Sequence, residues 1–255
     1  MCLLTLAWCS HPDYPLILAG NRDERHARAS AAAGFWSDAP EVLGGRDLEA
    51  GGTWLGLTTA GRYAVVTNYR DGLDPAKAPR SRGALTAEFL KTHVSPEEYL
   101  HEMRSRAGEY GGFSLIVGDQ GSLWYFANRG GEAPKAVAHG VHALSNHLLD
   151  SPWPKVQTAK ARLKLLLDTD TLSMDAMLKM LADRTPAETG LPDTGVGAEL
   201  ERRLSAAFVA DPLYGTRCST VVMLHKSGSL RFSERRFDAT GAAVETRHFR
   251  VESAA

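Results

Sequence analysis

Cysteine is scarce in this 255-residue chain, which has three, Cys2, Cys9 and Cys218. An odd number without paired spacing does not build a disulfide framework, so we expect a reducing, cytoplasmic location. No apolar run reaches the roughly 18 residues that a membrane-spanning helix needs. The short apolar start at 3–7 also lacks the preceding basic residue of a secretory signal. We therefore expect no integral membrane segment.

Neither positive nor negative charge is in excess, since the chain has 29 Lys and Arg residues and 30 Asp and Glu residues. This balance argues against nucleic acid as a partner and favours a small-molecule ligand. The sequence also lacks a Gly-rich phosphate loop, a G-x-S-x-G elbow, an H-E-x-x-H motif and paired C-x-x-C motifs. Its nine histidines show no metal-ligand spacing. We predict no metal site.

The elements that the sequence does predict are grouped rather than strictly alternating. Strands come first, then helices, strands, helices and strands again, and this order favours an α+β fold with largely antiparallel sheets over a doubly wound βαβ sheet. A stretch rich in Pro, Gly and Thr at 185–197 predicts a flexible loop. The predicted strands are 2–8, 16–20, 53–58, 63–67, 113–118, 122–127, 218–224, 230–237 and 244–251, and the predicted helices are 84–93, 96–106, 153–167 and 173–181.

Cys2 is the residue with the clearest chemical potential. A small residue after Met1 permits removal of the initiator methionine, which leaves a thiol and a free α-amine on one residue. An amine that titrates near neutral pH can take the thiol proton without a separate base. The alternative is that Cys2 is simply a small buried hydrophobic residue.

A polar run, Gly20 to Arg25, follows the second predicted strand. In a hairpin the end of the second strand returns to the start of the first, so Arg22 and Asp23 are expected beside Cys2. There a cation lowers a thiol pKa and a carboxylate orients an ammonium group. A solvated turn is the structural alternative for such a run.

Three further polar residues come at the ends of predicted strands. Asn68 and Asn146 can donate side-chain amides to an oxyanion, although asparagine in this position often only forms a turn. Arg217 precedes a long apolar strand, where it can bind a ligand anion or hold Asp23, or lie on the surface.

Many ordered blocks of the sequence resemble the NRDE family, also called the TANGO2 (transport and Golgi organisation protein 2) family. The resemblance implies one domain over residues 1–255 with the αββα four-layer sandwich of N-terminal-nucleophile hydrolases. A more distant similarity runs to choloylglycine hydrolase and penicillin V acylase. The blocks are Met1-Cys2, 16–19, 21–24, 51–57, 67–69, Gly83, 128–130, 144–146, 152–155 and 214–217.

The more distant relatives imply roles for residues of this chain. Carried over, Cys2 is the nucleophile, Asp23 orients the amine, Asn68 and Asn146 contact the oxyanion or substrate, and Arg217 is a late cation. The relatives have Arg just before their Asn, where this chain has Gly20, so Arg22 either replaces that guanidinium or leaves it missing. Ligand contacts are expected from Asn21, Arg22, Glu24, Trp54 and Tyr69.

Two functions remain open on these grounds. One is hydrolysis of a small-molecule C–N amide bond through Cys2, for which no cofactor is required. The other is non-catalytic carriage of haem or an acyl-CoA-like lipid, which the resemblance implies because the family is linked to both. The cleft expected for either function is lined by Trp8, Trp36 and Trp54.

Overall fold

Two antiparallel sheets form the centre of the structure, a computed structural model that describes residues 2–72, 78–169 and 171–252. The polar sequence at 68–82 predicts a further loop, and its residues 73–77 lie outside the described residues, as do Met1, residue 170 and residues 253–255. In spatial order, sheet 1 contains β10 (Gly140–Leu144), β1 (Cys2–Trp8), β2 (Leu16–Arg25), β11 (Tyr214–Leu224), β12 (Leu230–Phe237) and β13 (Ala243–Val251). Sheet 2 contains β3 (Ser30–Trp36), β4 (Ala39–Asp47), β5 (Leu55–Thr58), β6 (Tyr63–Asn68), β7 (Phe113–Gly118), β8 (Leu123–Ala127) and β9 (Lys135–Ala136).

Helices cover the outer faces of both sheets. The pair α1 (Arg82–Lys91) and α2 (Pro96–Ser105) packs on sheet 2, whereas α3 (Pro154–Asp168) and α4 (Met174–Leu181) pack on sheet 1. A short helix, α5 (Ala198–Arg203), follows the 185–197 segment. The layer order is helix, sheet, sheet, helix, which confirms the predicted αββα sandwich.

The alternation of side chains along β1 and β2 explains the layers. Leu4 and Leu6 face sheet 2 and join the apolar core between the sheets, whereas Ala7 and Ile17 face α3 and α4. Both faces of these strands are therefore buried, so they read as continuous apolar runs rather than as an alternating pattern. Cys2 has the same parity as Leu4, so its side chain points between the sheets.

Helix starts follow the sequence closely. Ser95 accepts from the Glu98 amide while the Glu98 side chain returns to the Ser95 amide, a complete capping box with Pro96 at the first helical position. Ser173 caps α4 by accepting from the Ala176 amide. Such side chains satisfy amides that a helix leaves unpaired at its start, which is why both starts were predictable.

Several elements were not predicted. Strands β3, β4, β9 and β10 and helix α5 are absent from the sequence-based prediction, and each is short, glycine-containing or strongly polar. The 185–197 segment has no helix or strand, as predicted, but its Thr194 amide donates to Glu201 Oε1 at 3.0 Å. Within the described ranges, we find no helix with the length and apolar character needed to cross a membrane.

Candidate active site

The register of three neighbouring strands places Cys2 beside Arg22. Cys2 on β1 pairs with Arg22 on β2, and Arg22 pairs on its other side with Cys218 on β11. The predicted proximity of the polar run to Cys2 is therefore confirmed. A cavity of about 110 Å³ opens at this sheet end, and the described residues that line it are Cys2, Arg22, Asp23, Glu24, Arg28, Asp47, Thr53, Trp54, Val66, Asn68, Ser81, Arg82 and Gly83.

Asn146 holds the main-chain nitrogen of Cys2. Its Oδ1 accepts from Cys2 N at 3.2 Å, and its Nδ2 donates to the Asn68 carbonyl at 3.0 Å. A carbonyl oxygen only accepts, so the amide nitrogen must face Asn68 and the amide oxygen must face Cys2. Asn146 is 1% exposed and adopts φ 56°, a left-handed conformation that asparagine tolerates better than most residues. Its amide is thus arranged to position the nitrogen of Cys2 rather than to donate into the cavity.

Asp23 carries a buried carboxyl group at the sheet end that contains Cys2. It is 1% exposed, its Oδ1 accepts from Thr216 Oγ1 at 2.7 Å, and its carbonyl accepts from Tyr214 Oη at 3.1 Å. Burial raises the pKa of Asp23, because desolvation disfavours the charged form. Burial likewise raises the pKa of the Cys2 thiol, and the main-chain N–H of Asp23 opposes that rise. A base is therefore needed to ionise the thiol at neutral pH.

Arg22 places a buried cation in the cavity wall. Its side chain is 5% exposed, its guanidinium lies 4.3 Å from the ring centroid of Trp54, and its Nη2 is 4.0 Å from Glu24 Oε2. Its Nη1 is buried without a hydrogen-bond partner in the described part of the chain. A buried donor of this kind is costly to leave unpaired.

Gly20 explains why the guanidinium comes from position 22. A Cβ at Gly20 would lie 2.9 Å from the Leu3 carbonyl oxygen and 3.3 Å from Leu4 Cδ1. The backbones of β1 and β2 leave no room there for a side chain. The guanidinium beside Cys2 in this chain is that of Arg22.

Asn68 lies where the small cavity meets a larger one of about 1230 Å³. Its side chain is half-buried and has no hydrogen bond within the described ranges, so the amide can serve a ligand. Tyr69 lines the larger cavity and stacks on His147, with ring centroids 4.8 Å apart. Six arginines and three carboxylates line this cavity among the described residues: Arg25, Arg28, Arg70, Arg80, Arg82, Arg203, Glu24, Glu49 and Asp211.

Two of the predicted site residues have structural roles instead. Arg217 lines neither cavity, because its Nη1 donates to the carbonyls of Arg25, His26 and Arg28 and so clamps the segment after β2. Asn21 is 2% exposed and uses its amide on the helix side of the sheet, where it binds the carbonyls of 181 and 207 and the hydroxyl of Ser219. Two of these bonds use both hydrogens of the amide nitrogen, so the side chain has no donor left for a ligand.

The expected tryptophan-lined cleft is also corrected. Trp54 lines the cavity with Cys2, whereas Trp8 ends β1 at the far end of the same strand. Trp36 is 5% exposed and lies in the core beneath α1 and α2. Trp8 and Trp36 line neither of the two cavities at the Cys2 end, so the three residues do not share that cleft.

The sequence reasoning assigned no role to a group of buried charges behind the site. Lys155 is 5% exposed and its Nζ donates to the Leu204 carbonyl at 2.8 Å. Arg70 Nη2 lies 2.9 Å from Glu201 Oε2, with both side chains under 10% exposed. Two features of the sequence could have indicated these residues. Lys155 lies within the block 152–155 that resembles the family, and Arg70 directly follows Asn68 and Tyr69.

Comparison with known proteins supports the same picture. The family model described as Transport and Golgi organisation 2 matches residues 1–239. The Transport and Golgi organization protein 2 homolog of Bos taurus is 36% identical over 282 residues, covering 99% of this chain and 100% of the relative. The Homo sapiens homolog is 35% identical, covering 92% of each chain.

A solved structure gives the fold. The Caenorhabditis elegans N-acylethanolamine-hydrolyzing acid amidase (NAAA) ortholog aligns with a TM-score of 0.50 and 13% identity over 86% of this chain and 92% of its own. At this identity the likeness concerns the fold alone. It agrees with the predicted N-terminal-nucleophile hydrolase architecture.

Proposed function

The chain belongs to the TANGO2 (Transport and Golgi organisation 2) family, and we propose that it acts through Cys2 as an N-terminal-nucleophile amidohydrolase that cleaves a C–N amide bond in a small molecule. The observation that carries the proposal is the contact of Cys2 N with Asn146 Oδ1 at 3.2 Å beside the cavity. This contact holds in place the nitrogen that becomes the α-amine once Met1 is removed.

In the proposed reaction the thiol of Cys2 attacks the substrate carbonyl carbon. Its proton passes to the α-amine, which Asn146 holds from one side and the carboxylate of Asp23 stabilises as an ammonium. The C–N bond then breaks as the ammonium returns a proton to the leaving amine, which leaves a thioester on Cys2. Water attacks the thioester, the amine takes its proton, and the carboxylic acid and free thiol are released.

Negative charge develops on the carbonyl oxygen during attack. The Nη1 of Arg22 and the side-chain amide of Asn68 are the donors we assign to it, because both residues line the cavity and neither group has a hydrogen-bond partner among the described residues. Removal of one such donor typically lowers the rate about 100- to 1000-fold. Trp54 fixes the guanidinium by stacking, so the donor is oriented before the substrate arrives.

The test uses purified full-length protein and intact mass spectrometry. We expect loss of Met1, and we expect an aldehyde probe to form a thiazolidine with loss of water, a product that requires a thiol and a free α-amine on one residue. The protein is then assayed on N-acylethanolamines, the substrate class in the name of the C. elegans neighbour, and on N-acyl amino acids. Substrates that turn over should leave an acyl adduct on the Cys2 peptide after acid quenching.

Cys9 provides the matched control, because it is an exposed cysteine on the same hairpin. We expect Cys2→Ala to lower turnover at least 1000-fold and Cys9→Ala to leave it unchanged. Retention of Met1 in protein that hydrolyses these amides, or full turnover by Cys2→Ala, would rule out the mechanism.

A second candidate function is carriage of an anionic ligand without cleavage. The excess of arginine over carboxylate around the 1230 Å³ cavity favours it, since guanidinium groups bind phosphate and carboxylate well. Cys2 is the one cysteine or histidine among the described residues that line the two cavities, so haem would need it as an axial ligand unless a tyrosine served.

Titration of wild type and Cys2→Ala with haem and with a long-chain acyl-CoA separates these outcomes. Saturable acyl-CoA binding that survives Cys2→Ala, with no turnover of any amide, favours carriage of an acyl ligand. A haem absorbance band that shifts in Cys2→Ala favours haem held by the thiolate. Binding of neither ligand contradicts the carrier function.

A further inference from the structure

Lys155 is a buried cation that the proposed reaction does not yet use. It lies in the first turn of α3, which packs on β1 and β10. Lys155 lines a cavity together with Leu3, the neighbour of Cys2 on β1, and so lies at the sheet end that carries Cys2. It is 5% exposed, and its Nζ donates to the Leu204 carbonyl at 2.8 Å. This is its one hydrogen bond within the described ranges, although an ammonium group carries three donors.

Among the described residues, four charged or titratable groups act most strongly on Lys155. They are Asp23 on β2, Arg70 after β6, the Cys2 thiol on β1 and Glu201 on α5. Arg70 and Glu201 form their own ion pair at 2.9 Å and largely compensate each other. Asp23 is then the carboxylate that balances the positive charge of Lys155.

Lys155 and Asp23 each affect the pKa of the other. Burial lowers the pKa of Lys155 to about 8, and Asp23 is the first of the charges that oppose the fall. Burial raises the pKa of Asp23, and this rise is opposed first by the positive charge of the N-terminal amine, then by Lys155, by the hydroxyl of Thr216 and by Arg22. A lone buried carboxylate or ammonium tends to become neutral, whereas two opposite charges buried together keep each other ionised.

We propose that Lys155 is a positioning residue of the Cys2 site, whose buried ammonium keeps Asp23 in the carboxylate form that orients the α-amine. The inference rests on the proposed role of Cys2. It also gives α5 a role in the site, because the Leu204 carbonyl at the end of that helix fixes the ammonium.

The direct test compares Lys155→Met with Lys155→Arg. Loss of the cation makes Asp23 accept a proton at higher pH, so the pH below which Cys2 loses reactivity rises. We expect Lys155→Met to move that acid limb up by about one pH unit or more, and Lys155→Arg to restore most of the shift. The readout is the rate of Cys2 alkylation from pH 4 to 9, followed by peptide mass spectrometry.

Lys164→Met is the matched control, because Lys164 is exposed on the same helix. Its profile should coincide with that of wild type. Coincident profiles for wild type and Lys155→Met would overturn the inference.

A reciprocal measurement covers the case in which Lys155→Met does not fold. Coupling between two sites is mutual, so Asp23→Asn should lower the pKa of Lys155, measured from its ¹³Cε shift by NMR. An unchanged Lys155 titration overturns the inference. This measurement needs no chemistry at Cys2, so the titration decides the role of Lys155 even if Cys2 is unreactive. Wild-type protein that resists every acylating probe would count against the proposed function only.

Discussion

The two ends of the β1–β2 hairpin share one ladder but differ in what they bury. At the Cys2 end the buried groups include Arg22 at 5% and Asp23 at 1% exposure, beside a cavity. At the other end Trp8 and Leu16 are 4% and 1% exposed and fill the core between the sheets. One end is closed by apolar packing, whereas the other keeps polar groups that a stability-driven core would exclude.

The two cysteines on this hairpin make the contrast concrete. Cys9 follows β1 in the turn, is exposed and adopts φ 48°, and its N–H donates to the Pro15 carbonyl at 2.8 Å. Cys2 is partly buried, with a main-chain N–H aimed at its thiol and Asn146 on its nitrogen. The same residue type is thus a turn residue at one end and the candidate nucleophile at the other.

The largest expected effect on stability belongs to the apolar end. Leu6 is fully buried between the sheets, so Leu6→Ala should cost about 2–5 kcal/mol in the free energy of unfolding, through lost transfer energy and a cavity. Urea denaturation measures the cost, and Leu165→Ala, at an exposed position, serves as the control. The rate of Cys2 alkylation in the folded variant should stay unchanged; a change would mean that the two ends are not separate.

Arg22→Met should show the reverse pattern at the polar end. It removes a buried cation with an unpaired Nη1, so the free energy of unfolding should stay level or rise. Turnover should fall about 100-fold, since the developing oxyanion loses a donor. Steady-state kinetics on an accepted amide, next to urea denaturation, tests both halves. A large loss of stability with normal turnover would contradict the assignment.

The smallest expected effect is on pH dependence at β10, where His142 pairs with Leu6. A hydrogen bond to Asp150 at 2.7 Å raises the pKa of His142, so its stabilising contribution is present below the unfolded pKa and is lost as pH rises through the folded one. The free energy of unfolding should be higher in wild type than in His142→Gln, and this difference should be about 1 kcal/mol larger at pH 5.5 than at pH 9. Urea denaturation at both pH values, with exposed His93→Gln as the control, measures this; an equal gap at both pH values is the contrary result.

Much of the fold was predictable because local signals agreed with it. The helices that begin at Pro96 and Met174 and the apolar strands that begin at Cys2 and Phe113 lie within one residue of their predicted starts. Strands β3 and β4 were missed because glycines and charges break their apolar pattern, and their pairing depends on partners distant in sequence.

The site was predictable only in part. Proximity of Arg22 and Asp23 to Cys2 followed from hairpin geometry, because the register of two adjacent strands is a local property. The roles of Asn21 and Arg217 did not follow, since each depends on carbonyls from remote segments that its side chain happens to meet.

The sequence by itself determined the family, the layer order and the neighbourhood of Cys2, since these depend on ordered blocks, apolar periodicity and strand adjacency. Tertiary structure alone decided which way each side chain of the polar run points and what it meets. Alternation along β2 sends Arg22 into the cavity with Cys2 and Asn21 toward the helices. It also brought Lys155 behind Asp23, because burial and charge pairing between distant segments are set by packing and not by any local pattern.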